Sequence, residues 1–226
     1  MPSDPISEAL KLDHFKVYKQ YQPTQGAKVR LQGQFDKTAI AAKVDQMDYY
    51  STPVSKSNSK IINRNAHLAF HQLHQTKQEP RRVVVFKNQF GLQKLILGRP
   101  FYLLAPSQKL EKGLSFPKRL DHFKAYRVLY GEPINRPVSL ADQFDKQAKV
   151  EVERPDYFCV PVKKTHGTKT TPISNPRGHL VFYTIQPKIY KIPKGSKDQF
   201  GTTKMLLGTS VLLGVPTIKL DWAPYG

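Results

Sequence analysis

The sequence predicts an all-β protein of two tandem domains, each a small barrel or sandwich made of two pseudo-symmetric four-stranded repeats. Three observations carry that expectation. The first is a frame that recurs four times. It runs from His14 through Gln34-Phe35 to Pro53 and Lys56, and from His67 through Gln89-Phe90 to Pro106 and Lys109. It runs again from His122 through Gln143-Phe144 to Pro161 and Lys164, and from His179 through Gln199-Phe200 to Pro216 and Lys219. Copies one and three match best, as do copies two and four, so a duplicated half is itself two related quarters. The second observation is period-two alternation in short runs bounded by turn residues. The third is that no stretch sustains a helical period with caps.

The elements follow in chain order. Residues 1–10 form a polar lead with at most one helical turn, at Ile6 to Leu10. Strands are expected near Leu12–Tyr21, Lys28–Leu31, Ala39–Val44 and Tyr49–Val54, the last two flanking Asp45 to Asp48. Ser55 to Asn65 is a polar link. Quarter two has strands near His67–Leu73, Arg82–Lys87, Leu92–Leu97 and Tyr102–Ala105. Asn88-Gln89-Phe90-Gly91 suits a hairpin loop, because Gly91 can take positive φ. Glu111-Lys112-Gly113 is the expected boundary, giving domains 1–112 and 113–226. The second half repeats the plan near His122–Leu129, Val138–Asp142, Val150–Glu153, Tyr157–Val162, His179–Ile185, Ile189–Ile192, Lys204–Leu207 and Ser210–Val215. The tail from Leu220, with the only Trp, Trp222, is expected to pack on the second domain.

A hydrophobic fraction of 39% with 11% aromatic residues is enough to fill a core and excludes a disordered chain. The net charge of +19 points to a polyanionic partner: an anionic surface, an acidic glycan or nucleic acid. Lys outnumbers Arg and no dense basic run localises the charge, which ranks nucleic acid lower. The single Cys159 excludes an intrachain disulfide. No apolar run is long enough for a transmembrane helix. Residues 1–11 lack a signal-peptide core, so the expectation is either a cytosolic protein or one from which a leader has been removed.

The repeated residues read first as structure. His14, His67, His122 and His179 recur without a second recurring ligand, and equivalent positions of a pseudo-symmetric fold lie apart, so no metal is expected. Each imidazole is expected to bond across its hairpin to the Asp or Asn before Gln-Phe. On a strand His67 and His71 share a face while His74 points away, so these three do not form a metal cluster. Gln34, Gln89, Gln143 and Gln199 are expected to pair with loop backbone while the adjoining Phe plugs a barrel end. The prolines read as strand terminators. Lys56, Lys109, Lys164 and Lys219 are the candidate polyanion-binding residues. The chain contains no nucleophile elbow, phosphate loop, zincin or Cys-x-x-Cys motif, so no catalytic residue and no cofactor is assigned. Cys159, in the apolar run Tyr157-Phe158-Cys159-Val160, reads as a buried small hydrophobe.

Leu120-Asp121-His122-Phe123-Lys124-Ala125-Tyr126, Asp142-Gln143-Phe144 and Cys159-Val160-Pro161 resemble repeat β-domains of unknown function in bacterial secreted proteins. The resemblance spans Leu12 to Lys219. It implies an extracellular or envelope setting, and a Cys pair at two frame positions. Here those positions read Val17 and Ser51, Phe70 and Leu104, Ala125 and Cys159, Phe182 and Gly214. The expected function is therefore a non-enzymatic β-repeat module of the cell exterior, structural or adhesive, or binding a polyanionic surface or glycan, with self-assembly open to it. The alternatives are a polysaccharide-active enzyme with its site between the domains, and a nucleic-acid-binding β-barrel.

Overall fold

The computed structural model describes residues 4–226, without the side chain of Ala148. One short helix, α1 (Pro5–Leu10), precedes thirteen strands. Quarter one contributes β1 (His14–Gln20), β2 (Ala27–Gly33) and β3 (Ile40–Lys56). Quarter two contributes β4 (His67–Gln75), β5 (Arg82–Asn88) and β6 (Gly91–Lys109). Quarter three contributes β7 (His122–Tyr130), β8 (Arg136–Ala141), β9 (Lys146–His166) and the small β10 (Lys169–Thr171). Quarter four contributes β11 (His179–Lys188), β12 (Ile192–Asp198) and β13 (Gly201–Pro224).

All-β is thus the fold class, but the tandem arrangement is replaced by one closed sheet. Eight strands pair antiparallel in the ring β1–β3–β4–β6–β7–β9–β11–β13, and β13 returns to β1. Residues 1–112 supply half of this ring and residues 113–226 the other half. The two halves meet at β6–β7 and at β13–β1, so the link at Glu111 to Gly113 separates no two closed sheets. Closure removes the open edges that two half-sheets would carry.

Four hairpins wrap the outside of the ring. In each quarter the short strand pairs with the start of its own long strand, and its other edge takes the end of the long strand from the opposite quarter. So β2 pairs with β9, β5 with β13, β8 with β3 and β12 with β6. Trp222 belongs to such an end: it lies opposite Val84 and its ring is 4.9 Å from Phe35, so the tail packs on the first half of the chain, not the second.

Each long strand joins two runs that the sequence divides. The dividing residues mark shifts of register, not strand ends: β3 shifts between Val44 and Tyr49, and β6 between Leu97 and Tyr102. Such bulges bend a strand without terminating it, here at the rim where the hairpin leaves the ring. The prolines also fall inside strands. Pro161 lies opposite Phe123 of β7, while on its other side β11 ends at Cys159 and β2 begins at Val162. Pro53, Pro106 and Pro216 sit at the same change of partner. A missing N–H facing that gap breaks no ladder, which is why Pro is tolerated there.

The ring interior is a single apolar cluster drawn from all four quarters: Phe15 and Val17, Leu68 and Phe70, Phe123 and Ala125, Leu180 and Phe182, with Tyr102, Leu104, Tyr157, Cys159 and Leu212. Leu10, at the end of α1, and Leu12 just after it extend the same cluster. The opposite face of the ring is covered by the hairpins, which makes the first strands buried on both faces. That explains their weak alternation. The frame positions identified in the sequence are cross-strand partners in every quarter: Val17 with Ser51, Phe70 with Leu104, Ala125 with Cys159 and Phe182 with Gly214. A Cβ on Gly214 would stand 2.5 Å from Phe182 Cε1, so glycine there is required by the aromatic ring opposite.

Candidate functional site

The signature residues form a clasp between successive quarters. His14, His67, His122 and His179 each open a ring strand opposite Val54, Ser107, Val162 and Thr217, two residues before the Lys of their own quarter. That Lys reaches the Phe of the next quarter. Lys56 Nζ is 5.4 Å from the Phe90 ring, Lys109 5.4 Å from Phe144, Lys164 5.0 Å from Phe200, and Lys219 closes the cycle 5.9 Å from Phe35. These are cation–π contacts, worth more when water is excluded. Gln143 and Gln199 complete the clasp by accepting from Lys109 and Lys164. Gln34 instead donates to the Pro176 carbonyl, and Gln89 lies in the two-residue turn between β5 and β6.

Two expectations are corrected here. Lys56, Lys109 and Lys164 are only 6%, 1% and 1% exposed, so these ammonium groups are not presented to a polyanion; Lys219 is half-buried on Phe35. Burial lowers all four lysines, Lys164 to about 8. The histidines do not bond to the residue before Gln-Phe either. His14 Nε2 lies 3.1 Å from Asp4, His67 Nδ1 3.3 Å from the Ser51 carbonyl and His179 Nδ1 3.0 Å from the Arg177 carbonyl, while His122 has no protein partner among the described residues. The residue before Gln-Phe serves another frame position in the opposite quarter. Asp142 accepts from Tyr18, Asp198 meets His71 at 2.6 Å, and Asn88 donates to Tyr183 at 2.8 Å. Burial holds His67 and His179 down to about 4, so both imidazoles are neutral at physiological pH. Among the described residues no three His, Cys, Asp or Glu are grouped to hold a metal ion.

The acidic residues are engaged inside the molecule. Asp4, Asp13, Glu79 and Asp121 are buried; Asp36, Asp48, Asp142, Asp145 and Asp198 turn inward to internal partners. Asp13 accepts from the backbone N–H groups of Ile62 and Asn63, and Asp121 from those of Ser174 and Asn175. Among the described residues only Glu8, Glu111, Glu132, Glu153 and Asp221 are exposed acids, and Glu111 is held by Lys109 and Lys194. Among Lys and Arg the pattern is reversed. Lys16, Lys56, Arg82, Lys109, Lys124 and Lys164 are buried, Lys194 and Lys219 half-buried, and every other one is exposed. Folding therefore makes the surface more basic than the composition.

A group of exposed cations lies on the outer face of the first hairpin. On β2, Val29 and Leu31 point inward, so Lys28 and Arg30 point out. Lys28 lies directly opposite Lys43 of β3, Arg30 lies between Ala41 and Thr165, and Gln32 lies opposite Lys163 of β9. Like charges placed directly opposite destabilise a sheet. Lys43 is relieved by Asp45 at 3.0 Å; among the described residues neither Lys28 nor Arg30 has a carboxylate partner. The small residues Ala41 and Gly167 leave a shallow depression of about 490 Å³ between Lys28, Arg30 and Lys43. This can hold anionic groups along a chain. Sequence reading missed these residues because the repeat drew attention to the four frame lysines; the available signal was Lys28-Val29-Arg30 and Ala41-Ala42-Lys43, two outward faces of adjacent strands.

A family model described as a repeat of unknown function (DUF7450) matches residues 67–216. That range opens on the signature His67, closes on Pro216 and covers more than half of the chain. No curated protein and no solved structure matches.

Proposed function

We propose that this chain, which belongs to the DUF7450 repeat family, is a non-enzymatic β-repeat module that binds a polyanionic glycan or surface through its basic exterior, as a structural or adhesive unit of the cell exterior. The observation that supports the reading is the segregation of charge: most carboxylates are buried or turned to internal partners, while most Lys and Arg side chains are exposed. The contact face is that of Lys28, Arg30 and Lys43, where a polyanion would neutralise Lys28 and Arg30, which have no carboxylate partner among the described residues. The quarters interleave through their outer hairpins, and the ring interior is filled by apolar side chains.

The test is retention on an immobilised sulfated polysaccharide as salt is raised. Retention should fall steeply with salt, and Lys28→Glu with Arg30→Glu and Lys43→Glu should elute at markedly lower salt without loss of thermal stability. Unchanged elution of that variant would remove this face from the reading. Preference for one defined nucleic-acid sequence or strand form over the polysaccharide would replace the glycan with nucleic acid.

A further inference from the structure

The four outer hairpins share one plan, so their outward positions can be compared directly. Counting back from the residue before each Gln-Phe, the fifth and third positions face outward. They read Lys28 and Arg30 in the first hairpin, Pro137 and Ser139 in the third, and Pro193 and Gly195 in the fourth. In the second hairpin they read Val83 and Val85. Val84 and Phe86, which alternate with them, are buried in the core with Leu95 and Leu97, and this fixes Val83 and Val85 on the outer face.

Cross-strand pairing builds two rows on that face. Ala223 of β13, Val83 of β5, Ile96 of β6 and Tyr130 of β7 lie opposite one another in the first. Asp221 of β13, Val85 of β5 and Lys94 of β6 lie in the second. The first row is apolar throughout, and Tyr130 is 59% exposed; Asp221 and Lys94 are exposed as well. A contiguous apolar row on an outer face, unlike scattered hydrophobes, marks an interaction surface.

The second row identifies the partner. Its charge is antisymmetric about β5, with an anion one strand to one side and a cation one strand to the other. A two-fold axis laid along β5, between two such sheets, keeps β5 over β5 and exchanges the strands on either side. Val83 and Val85 then meet their own copies. Ala223 meets Ile96 of the second copy, Asp221 meets its Lys94, and each contact occurs twice. Within one chain Asp221 and Lys94 are two strand spacings apart, about 10 Å, too far to pair with each other. A polyanion or an anionic membrane on the same face would be repelled by Asp221.

We propose that this face joins two copies of the chain, sheet on sheet, about a two-fold axis along β5. Three strands of about six residues cover roughly 14 by 20 Å. That is less than the roughly 800 Å² per partner of a stable complex, so the pair is weak, with Kd on the order of 100 µM. The net charge of +19 on each copy opposes it. At about 0.15 M salt the Debye length is about 8 Å, which screens that repulsion across the molecule more than the direct contact of Asp221 with Lys94. The pairing is independent of the glycan reading and adds to it: two copies present two basic faces, and a polymer long enough to span both is held more tightly.

The experiment is sedimentation equilibrium of the full chain from about 5 to 500 µM, a range that brackets the expected Kd. A monomer–dimer equilibrium is expected. Val85→Lys sets two ammonium groups against each other on the axis and should weaken the dimer by at least about tenfold. Asp221→Lys and Lys94→Asp, each alone, set like charges opposite and should weaken it about threefold or more, whereas the two together should restore it to within about twofold. All these side chains face outward, so the melting temperatures should stay unchanged. Lys28→Glu with Arg30→Glu should lose retention on the polysaccharide without weakening the dimer, which keeps failure of the two readings apart. A chain that stays monomeric throughout, or a dimer that survives Val85→Lys, overturns the proposal. So does a double charge exchange no tighter than its single variants, because the two-fold register requires the rescue.

Discussion

Quarters one and three each bury a lysine, Lys16 and Lys124, against the carboxylate turn of the other, whereas quarters two and four are apolar at the equivalent positions on the same backbone plan and meet through His71 and Asp198. Lys16 Nζ, fully buried, meets Asp145 at 2.9 Å, Gln147 at 2.6 Å and the Tyr190 hydroxyl at 2.8 Å. Its repeat partner Lys124 meets Asp36 at 2.8 Å and Glu79 at 2.7 Å, and Glu79 is further held by Tyr126 and Arg82. In the even quarters the Lys positions read Ala69 and Val181, and the Asp positions read Gly201 and Gly91. Cation and anion are thus absent together, and the space is filled by neighbours such as Met205 and Leu207. The turns follow the same division. Gly91 and Gly201, at φ 106° and 144°, allow two-residue turns, while Asp36 and Asp145 sit in longer ones that carry a carboxylate to its Lys. The fold itself does not need the charge. What charge adds is pairing specificity: Lys16 or Lys124 set against a glycine turn would be a buried, unpaired ammonium.

The strongest way to break this comparison is to remove one cation. Lys124→Met should destabilise the protein by about 3–5 kcal/mol, because Asp36 and Glu79 are left buried with less compensation. The companion Lys16→Val with Asp145→Gly imports the even-quarter solution. It should recover most of what Lys16→Val alone loses, read from urea midpoints at constant m-value. No recovery would show that the even solution depends on more than these two positions.

Acid sharpens the comparison next. His67 and His179, both in even quarters, sit near 4 when folded against about 6.5 when unfolded. The unfolded chain then binds more protons as pH falls below about 6.5, and stability is lost down to about 4, on the order of 3 kcal/mol for each histidine. Asp13, in quarter one, runs the other way. Burial raises it to about 6, so the folded state takes up its proton first and regains stability as pH falls from 6 towards 4. Asp121 in quarter three is raised by the same cause. The net expectation is a decline of a few kcal/mol between about pH 7 and 4, made shallower by His179→Gln. A flat profile in the unmodified chain would contradict the burial of neutral imidazoles.

The smallest effect tests the shared frame. Ala125 and Cys159 are cross-strand partners inside the ring, and Ala125→Cys should close a disulfide under mild oxidation. The bridge should add about 2–4 kcal/mol if unstrained. The even-quarter equivalent, Phe182 with Gly214, cannot accept a second side chain because Phe182 already fills the space. If the thiol introduced by Ala125→Cys and that of Cys159 each react with a small oxidant but never with one another, the two positions are out of register.

The local order of this protein was legible from its residues alone. The fourfold frame located every ring strand to within a few residues and predicted all four cross-strand pairs, because side-chain period and repeat alignment are properties of the chain itself. The turn at Gln89-Phe90 and the helical turn before Leu10 were equally local. Tertiary structure decided the rest. Whether Pro161 ends a strand or marks a change of partner depends on which strand lies beside it, and β2 comes from the far end of the chain, in quarter one. The same holds for the frame lysines: Lys164 and Lys163 are neighbours in sequence, yet one is buried on Phe200 and the other is exposed. The choice of one ring over two barrels rests on the opposite-quarter pairings. The basic face is non-local in the same way, since it needs β2, β3 and β9 together. Repetition specifies what each quarter is; the contacts between quarters, formed against the entropy of closing long loops, specify where each quarter goes.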